Sequence, residues 1–383
     1  MRLRRSAPDG PGYRRRRRGS GFSYVDQHDR PLTDPAELDR CRALVIPPAW
    51  RDVWICPDPA GHIQAVGTDA AGRRQYLYHP HWRLRRDRRK FDRVLAVAAR
   101  LPRLRRRVRA DLADRELTRR RALALAARLI DLGLFRVGGD EYADGEDATY
   151  GVATLEAGHV TLNGDTAHFR YRAKGGIPRE ITITDPRVSA TIRALRRYRQ
   201  RNQRLLAYRS GSRWAEIRSG DVNEYLRAAS GGEMTAKDLR TWHATVLAAS
   251  ALARLGLPSS PTGARRTVAR VMREVSAELG NTPAVLRASY VDPRVVDLFH
   301  RGTTIEPSRS RRTGPAAESA VLDLLSGAAT RMPGAAAASR SAGAAAASRS
   351  AGATGASRSA GATAAARRGR RTASGRSAPE RSR

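Results

Sequence analysis

Lysine is nearly absent from this chain. Of 72 basic residues among 383, only Lys90, Lys174 and Lys237 are lysines, and the other 69 are arginines. GC-rich coding accounts for the bulk of that bias, but it sharpens the question of what the three lysines do. An arginine guanidinium, with a pKa above ~12, cannot give up its proton, whereas a lysine amine can have its pKa lowered and act as an acid. Cysteine is scarce too: Cys41 and Cys56 can build neither a disulfide framework nor a four-thiolate zinc site. No apolar run approaches the ~20 residues needed to span a bilayer; the best, Ala244 to Ala253, is closed by Arg254. The arginine-rich N-terminus is followed by no apolar signal core, so a soluble, reduced, cytoplasmic location is expected. A Gly-x-x-x-x-Gly-Lys-Ser/Thr phosphate loop is missing, which argues against an ATP-driven motor. His79-Pro-His81 has no cysteine or carboxylate cluster to complete a metal site and reads as surface or packing.

Acidic residues are the remaining shortage, 37 against the 72 basic ones, for a formal charge of +35. An excess that large calls for a polyanion, with nucleic acid the usual one and an anionic membrane surface or an acidic protein the alternatives. Residues 302 to 383 hold 14 arginines and 4 acids, which leaves +25 on residues 1 to 301. The folded part is therefore basic on its own.

The texture of the chain divides it into four. Residues 1–21, with eight arginines and one aspartate among Gly, Pro and Ser, read as a disordered basic arm. Residues 22–86 alternate short β-branched and aromatic segments with turn formers, as in Val53-Trp54-Ile55, then Pro57-Asp58-Pro59, and predict a small β-rich domain. Residues 87–327 are mainly helical. Phe91, Val94, Leu95 and Ala98 keep the helical spacing, and a long pattern runs from about Leu112 to a stop at Gly133. Within this region the period returns to two between Thr149 and Thr184. Strands are predicted at Val152–Leu155, Val160–Leu162, His168–Arg172 and Ile181–Ile183, with a turn at Lys174-Gly175-Gly176. Helices are expected after Asp185-Pro186 and after Thr235, the latter from a capping-box-like Thr-Ala-Lys-Asp, and a short one around Ala317 to Leu325. Residues 328–383 are low in complexity, with Ser-Arg-Ser-Ala-Gly-Ala recurring every nine residues from Ser339, and predict a disordered DNA-coating tail. The fold class expected is α+β: a small β-rich N-terminal domain, a larger helical catalytic domain with a small β-sheet or hairpin, and disordered basic termini.

Five stretches could carry chemistry. Arg136 lies just past a helix end in Phe-Arg-Val-Gly-Gly-Asp-Glu, and Lys174 sits in a Gly-Gly turn between strands. Lys237 and Arg240, three apart, share a face at a helix N-terminus, which itself attracts phosphate. Leu279-Gly280-Asn281-Thr282-Pro283 is a helix stop and turn, and nine residues after Asn281 comes Tyr290 in Ser-Tyr-Val-Asp-Pro. Singly, each has an ordinary structural reading: a solvated loop arginine, an exposed turn lysine, a core tyrosine.

In order, Arg, a hairpin Lys, Lys-x-x-Arg, Gly-Asn-Thr-Pro and Tyr resemble the type IB DNA topoisomerases of the poxvirus-like and bacterial kind. The resemblance extends over roughly Phe22 to Leu325 and is carried most by Lys237-Asp-Leu-Arg240-Thr-Trp242 and by Thr282-Pro283 ahead of Tyr290. It implies a tyrosine-recombinase-like catalytic fold and a monomer whose two domains clamp duplex DNA, with no cofactor and no metal. By the same resemblance Tyr290 is the nucleophile that forms a 3′-phosphotyrosyl nick, Arg136 and Arg240 hold the phosphate, and Lys174 protonates the departing 5′-oxygen. Lys237 assists or binds phosphate, and Gln75, Tyr76 and Tyr78 touch DNA from the N-terminal domain. One departure stands out. Asn281 occupies a position that is histidine in the viral and nuclear relatives, though bacterial relatives also carry asparagine. It can donate a neutral hydrogen bond but has no proton to give.

Two other readings compete. Tyrosine recombinases share the tyrosine and the arginine pair but usually carry His-x-x-Arg where this chain has Lys237-x-x-Arg240, and they lack the N-terminal β domain. A non-enzymatic nucleoid-coating protein would explain the charge but not the ordered motifs. All three predict binding that weakens steeply with salt.

Overall fold

The computed structural model describes residues 1–307 and 314–330, and divides the chain into two compact units at Arg83/Leu84. That is three residues before the expected 86/87 junction. The fold class is mixed α and β, with a small N-terminal β unit, as the sequence predicts.

The N-terminal unit is a five-stranded antiparallel sheet in the order β2-β1-β3-β4-β5. The strands are β1 (Tyr13–Arg18), β2 (Gly21–Val25), β3 (Arg51–Ile55), β4 (Ile63–Thr68) and β5 (Arg74–Tyr78), with helix α1 (Pro35–Ala43) between β2 and β3. Its small core gathers Cys41 of α1, Ile46, and Val53, Ile55 and Ala65 from the sheet. The expected disordered arm is corrected here: residues 13–18, mostly arginine, are a strand next to the middle of the sheet. The reason lies in alternation. Tyr13 packs on the core, and Arg15 lies partly buried with its guanidinium on the carbonyls of Ile46 (2.8 Å), Pro47 (2.9 Å) and Trp50 (2.9 Å). It also lies 4.0 Å from the Phe22 ring centroid. One arginine satisfied by three carbonyls offsets the cost of burying its charge.

The second unit is built around α7 (Ala236–Leu255), buried along nearly its whole length. Preceding it are α2 (Pro80–Ala98), in which the unit boundary falls, α3 (Leu101–Leu112), α4 (Arg119–Gly133), α5 (Pro186–Arg196) and α6 (Ser219–Ser230). Following it come α8 (Pro261–Leu279), α9 (Pro283–Ser289), α10 (Pro293–His300) and α11 (Pro315–Thr330). A three-stranded antiparallel sheet, β6 (Val160–Asn163), β7 (Thr166–Ala173) and β8 (Ile177–Thr184), and a hairpin of β9 (Ala207–Ser210) and β10 (Arg213–Glu216) complete it.

Two expectations are corrected in this unit. The long pattern from Leu112 to Gly133 is two helices, because residues 113–118 break the ladder and Thr118 caps α4 by accepting from the Arg121 N–H (3.2 Å). Val152–Leu155 is a 3₁₀ turn at Val152–Thr154, not a strand, since Val152 and Ala153 donate back to the carbonyls of Arg136 and Val137. The expected hairpin around Lys174, the helix after Asp185-Pro186, the capping box at Thr235 and the helix around 317–325 are all present. The expected disordered tail at 328–383 lies outside the described residues, apart from the last turn of α11. Among the described residues, no helix is long and apolar enough to cross a membrane.

A buried polar network ties α3, α4, α7 and α11 together. Arg105 donates to Asp131 (2.8 Å) and to Glu318 (2.7 Å), and His243 Nε2 lies 3.1 Å from Asp131 Oδ1. Burial alone would raise the Asp131 pKa, but hydrogen bonds from His243 and Arg105 hold it well below the ordinary carboxylate value.

Candidate active site

Arg136 is placed by the end of α4. Leu134 adopts the left-handed conformation (φ 56°), and its N–H closes on the Ile130 carbonyl. That turn buries Phe135, whose ring meets Phe169 edge-on (5.1 Å) and stacks on Tyr171 (5.6 Å) of β7. Arg136 emerges one residue later and donates Nη2 to the Gly280 carbonyl (2.7 Å) and to Asn281 Oδ1.

Arg240 is placed by the start of α7. Thr235 Oγ1 accepts from the Asp238 N–H (3.3 Å), and Asp238 Oδ2 accepts from the Thr235 N–H (3.1 Å), a reciprocal box that fixes the first turn. Arg240 lies in the next turn, only 3% exposed, and donates to the Leu279 carbonyl (2.9 Å). Both carbonyls belong to the end of α8. There Gly280, at φ 69°, and Asn281 donate their N–H groups back to Ala277 and Ser276 and stop the helix. Thr282 then caps α9 by accepting from Val285, with Pro283 in its first position.

Tyr290 follows the last residue of α9, and its backbone is held from both sides. Its N–H donates to Leu286 (2.8 Å), its carbonyl lies 3.2 Å from Thr245 Oγ1 of α7, and the same hydroxyl accepts from the Asp292 N–H (3.1 Å). Its partly buried ring lies 5.8 Å from the Arg240 guanidinium carbon. Arg136, Arg240, Asn281 and Tyr290, separated by up to 154 positions, are thus one cluster.

Its electrostatics favour an anion. Among the described residues, neither Arg136 nor Arg240 makes an ion pair. Burial lowers the pKa of Arg136, and burial together with the Arg136 charge pushes that of Arg240 down to about 10. Both stay protonated at neutral pH. Among the described residues, Arg240 Nε and Asn281 Nδ2 are buried donors without a partner, a condition rare in folded proteins. Two guanidinium groups, the Asn281 amide and a phenol ring lie together, which suits a tetrahedral or pentacoordinate phosphorus centre.

Residues 79–299, more than half the chain, match the family described as eukaryotic DNA topoisomerase I, catalytic core, and residues 21–69 match the bacterial DNA topoisomerase IB N-terminal domain. A DNA topoisomerase 1B of Acanthamoeba polyphaga mimivirus is 27% identical over 296 residues, spanning 75% of this chain and 87% of the viral protein. The chain belongs to the type IB DNA topoisomerases. It is an enzyme that relaxes supercoiled DNA, and DNA is its partner.

Not every residue expected in the topoisomerase site joins the cluster. Lys174 is exposed at the tip of the β7–β8 hairpin, where Gly175 (φ 82°) and Gly176 (φ 74°) supply a left-handed turn. Its ammonium lies 5.8 Å from the centroid of the exposed Tyr142 ring. Lys237 is exposed on the first turn of α7, close enough to half-buried Lys90 that its charge, after burial, helps lower the Lys90 pKa. Lys90 itself packs over the Phe91 ring at 4.2 Å.

In the N-terminal unit, Tyr76 and Tyr78 stack with centroids 6.1 Å apart on one face of edge strand β5, with Arg74 beside them. Gln75 points to the opposite face and donates to Asp69 (2.9 Å), so it is not displayed with the tyrosines. Sequence reasoning missed Arg179 and Tyr171, which adjoin the arginine pair, and Thr245, which holds Tyr290. The Arg179 signal was hidden among 69 arginines. Tyr171 carried one in its place two residues along the strand from Phe169.

Proposed function

We propose that relaxation proceeds by transesterification at Tyr290, in a catalytic unit of tyrosine-recombinase-like fold. The phenolic oxygen attacks a backbone phosphorus, the bond from phosphorus to the 5′-oxygen breaks, and a 3′-phosphotyrosyl link and a free 5′-hydroxyl result. The phenol proton leaves to solvent as the bond forms. Arg136 and Arg240 bind the non-bridging oxygens, where charge accumulates in the transition state, and Asn281 adds a neutral donor. Those fixed cations take the part a divalent metal plays elsewhere. Lys174 swings from Tyr142 toward the scissile phosphate and protonates the departing 5′-oxygen, a step an arginine could not perform. The covalent link keeps the phosphodiester energy, so the 5′-hydroxyl reseals the strand by the reverse reaction without ATP. Between the two steps the downstream duplex, held by charge alone, rotates and relaxes either sign of supercoil.

The remaining parts bind DNA. The β5 tyrosines and Lys237 contact the backbone, the two units close on the duplex as a monomeric clamp, and the basic tail beyond residue 330 lengthens residence on nucleoid DNA.

The observation that carries this reading is the gathering of Arg136, Arg240 and Asn281 at the end of α8, with the Arg240 guanidinium beside the Tyr290 ring. It is tested by trapping the intermediate on a duplex whose cleaved strand ends a few nucleotides past the break, so the short downstream fragment bearing the 5′-hydroxyl diffuses away. Label placed upstream of the break is expected to become attached to a peptide containing Tyr290, and Tyr290→Phe to trap nothing. Label retained only downstream would reverse the polarity and refute the proposal.

A further inference from the structure

Four consecutive carbonyls at the end of α8 are each held by an arginine. Arg179 donates Nη1 to Ala277 (2.8 Å) and Nη2 to Glu278 (2.6 Å); Arg240 takes Leu279 and Arg136 takes Gly280. Cations at a helix C-terminus are favourable, but these three arrive from three different elements. Arg136 follows α4 and Arg240 lies on α7, while Arg179 is the third residue of β8, on the hairpin that carries Lys174. Its cross-strand partner is Tyr171, whose hydroxyl faces the Arg179 guanidinium and whose ring stacks on Phe135. The contact with α8 is close: a Cβ added to Gly280 would lie 3.2 Å from Arg179 Cδ, Nε and Nη1. Arg172, on the neighbouring strand, is tied instead to the Glu146 carbonyl (3.0 Å).

We propose that Arg179 is a positioning residue for strand cleavage: it fastens the Lys174 hairpin to the α8–α9 turn, setting the proton donor in register with the arginine pair and Tyr290. The proposal rests on the reading of Lys174 as the leaving-group acid. The Tyr171–Arg179 pair stands two rungs from the Ala173–Ile177 pair that closes the hairpin, or ~7 Å at ~3.3 Å per residue. An anchor at that point fixes the tip. Both Arg179 bonds lie at exposed surface, so losing them disturbs folding little and the hairpin's placement a great deal.

The test is single-turnover cleavage by the full chain on two duplexes, one ordinary and one with a sulfur at the 5′-bridging position, whose leaving group needs no proton. Arg179→Ala is expected to slow cleavage of ordinary DNA ~10–100-fold, the scale of a small misplacement of a reacting group. On the sulfur substrate it should come within about threefold of wild type, because the proton donor is no longer needed. Arg179→Ala combined with Lys174→Ala should be no slower than Lys174→Ala alone. Arg179→Lys, which keeps the charge and one donor, should cleave at an intermediate rate with an unchanged melting temperature. Equal losses on both substrates, no loss at all, or an additive double variant would each overturn the proposal. If Lys174→Ala itself is not rescued by sulfur, the acid assignment falls, and the double variant alone still decides whether the two residues act as a unit.

Discussion

Replacing Arg240 by methionine should make the folded enzyme more stable while nearly abolishing cleavage. Arg240 is 3% exposed, makes no ion pair among the described residues, and has Arg136 beside it. Its pKa falls from 12.5 to about 10, chiefly through burial. At 1.36 kcal/mol per decade this is a penalty of ~3 kcal/mol on the free protein. Methionine fills a similar length and removes that penalty, but it forfeits the bond to Leu279, worth ~1 kcal/mol. The net gain is ~2 kcal/mol, or a melting temperature raised by ~4–8 °C. The same change takes one fork of donors from the transition state, for a loss of ~10²–10³ in cleavage rate. The assay pairs thermal unfolding of the free protein with single-turnover cleavage. A lower melting temperature in Arg240→Met would refute the reasoning, since Arg240 would then hold the fold together.

Two further outcomes follow from the structure and the charge distribution. Asp131 has a folded pKa below its ordinary 3.8, so its contribution to stability is present above pH ~4 and is lost as pH falls through the folded value. Asp131→Asn leaves Glu318 as the remaining carboxylate on Arg105, so it should cost ~1.5–3 kcal/mol at neutral pH, the scale of a charged hydrogen bond, and should flatten the acid limb of a denaturant-midpoint profile; an unchanged limb would contradict the assignment. Deleting residues 331–383, which hold 11 arginines and one acid, should weaken DNA binding and make the slope of log affinity against log salt shallower, at about 0.9 per lost phosphate contact.

The site was more legible in the sequence than the N-terminal sheet. Thr235 and Asp238 announce the α7 start, and Gly280 followed by Asn281 announces the α8 stop, because caps are local chemistry written within a few residues. Those two ends, with the loop after α4, place Arg240, Asn281 and Arg136. Strand β1 was illegible because Tyr13 is followed on the inward face by Arg15, whose partners are the carbonyls of Ile46, Pro47 and Trp50, some thirty positions away. Burial of that kind leaves no hydrophobic alternation. Arg179 was hidden for a related reason: in so arginine-rich a chain, a tie to backbone carbonyls of another element has no compositional contrast. The 3₁₀ turn at Val152 was misread as a strand because Val152 and Thr154 are β-branched and stand in alternate positions, and only the Thr154 N–H closing on the Gly151 carbonyl (2.9 Å) and the bonds to Arg136 and Val137 distinguish it.

The most direct measurement is relaxation of a negatively supercoiled plasmid by the full chain in excess EDTA without ATP, with Tyr290→Phe alongside. The account predicts complete relaxation by the wild type and none by the variant, which should still bind the plasmid. Relaxation by both would contradict Tyr290 as the nucleophile. A wild type that relaxes only once a divalent metal is restored would contradict the guanidinium pair as the source of charge at the phosphate.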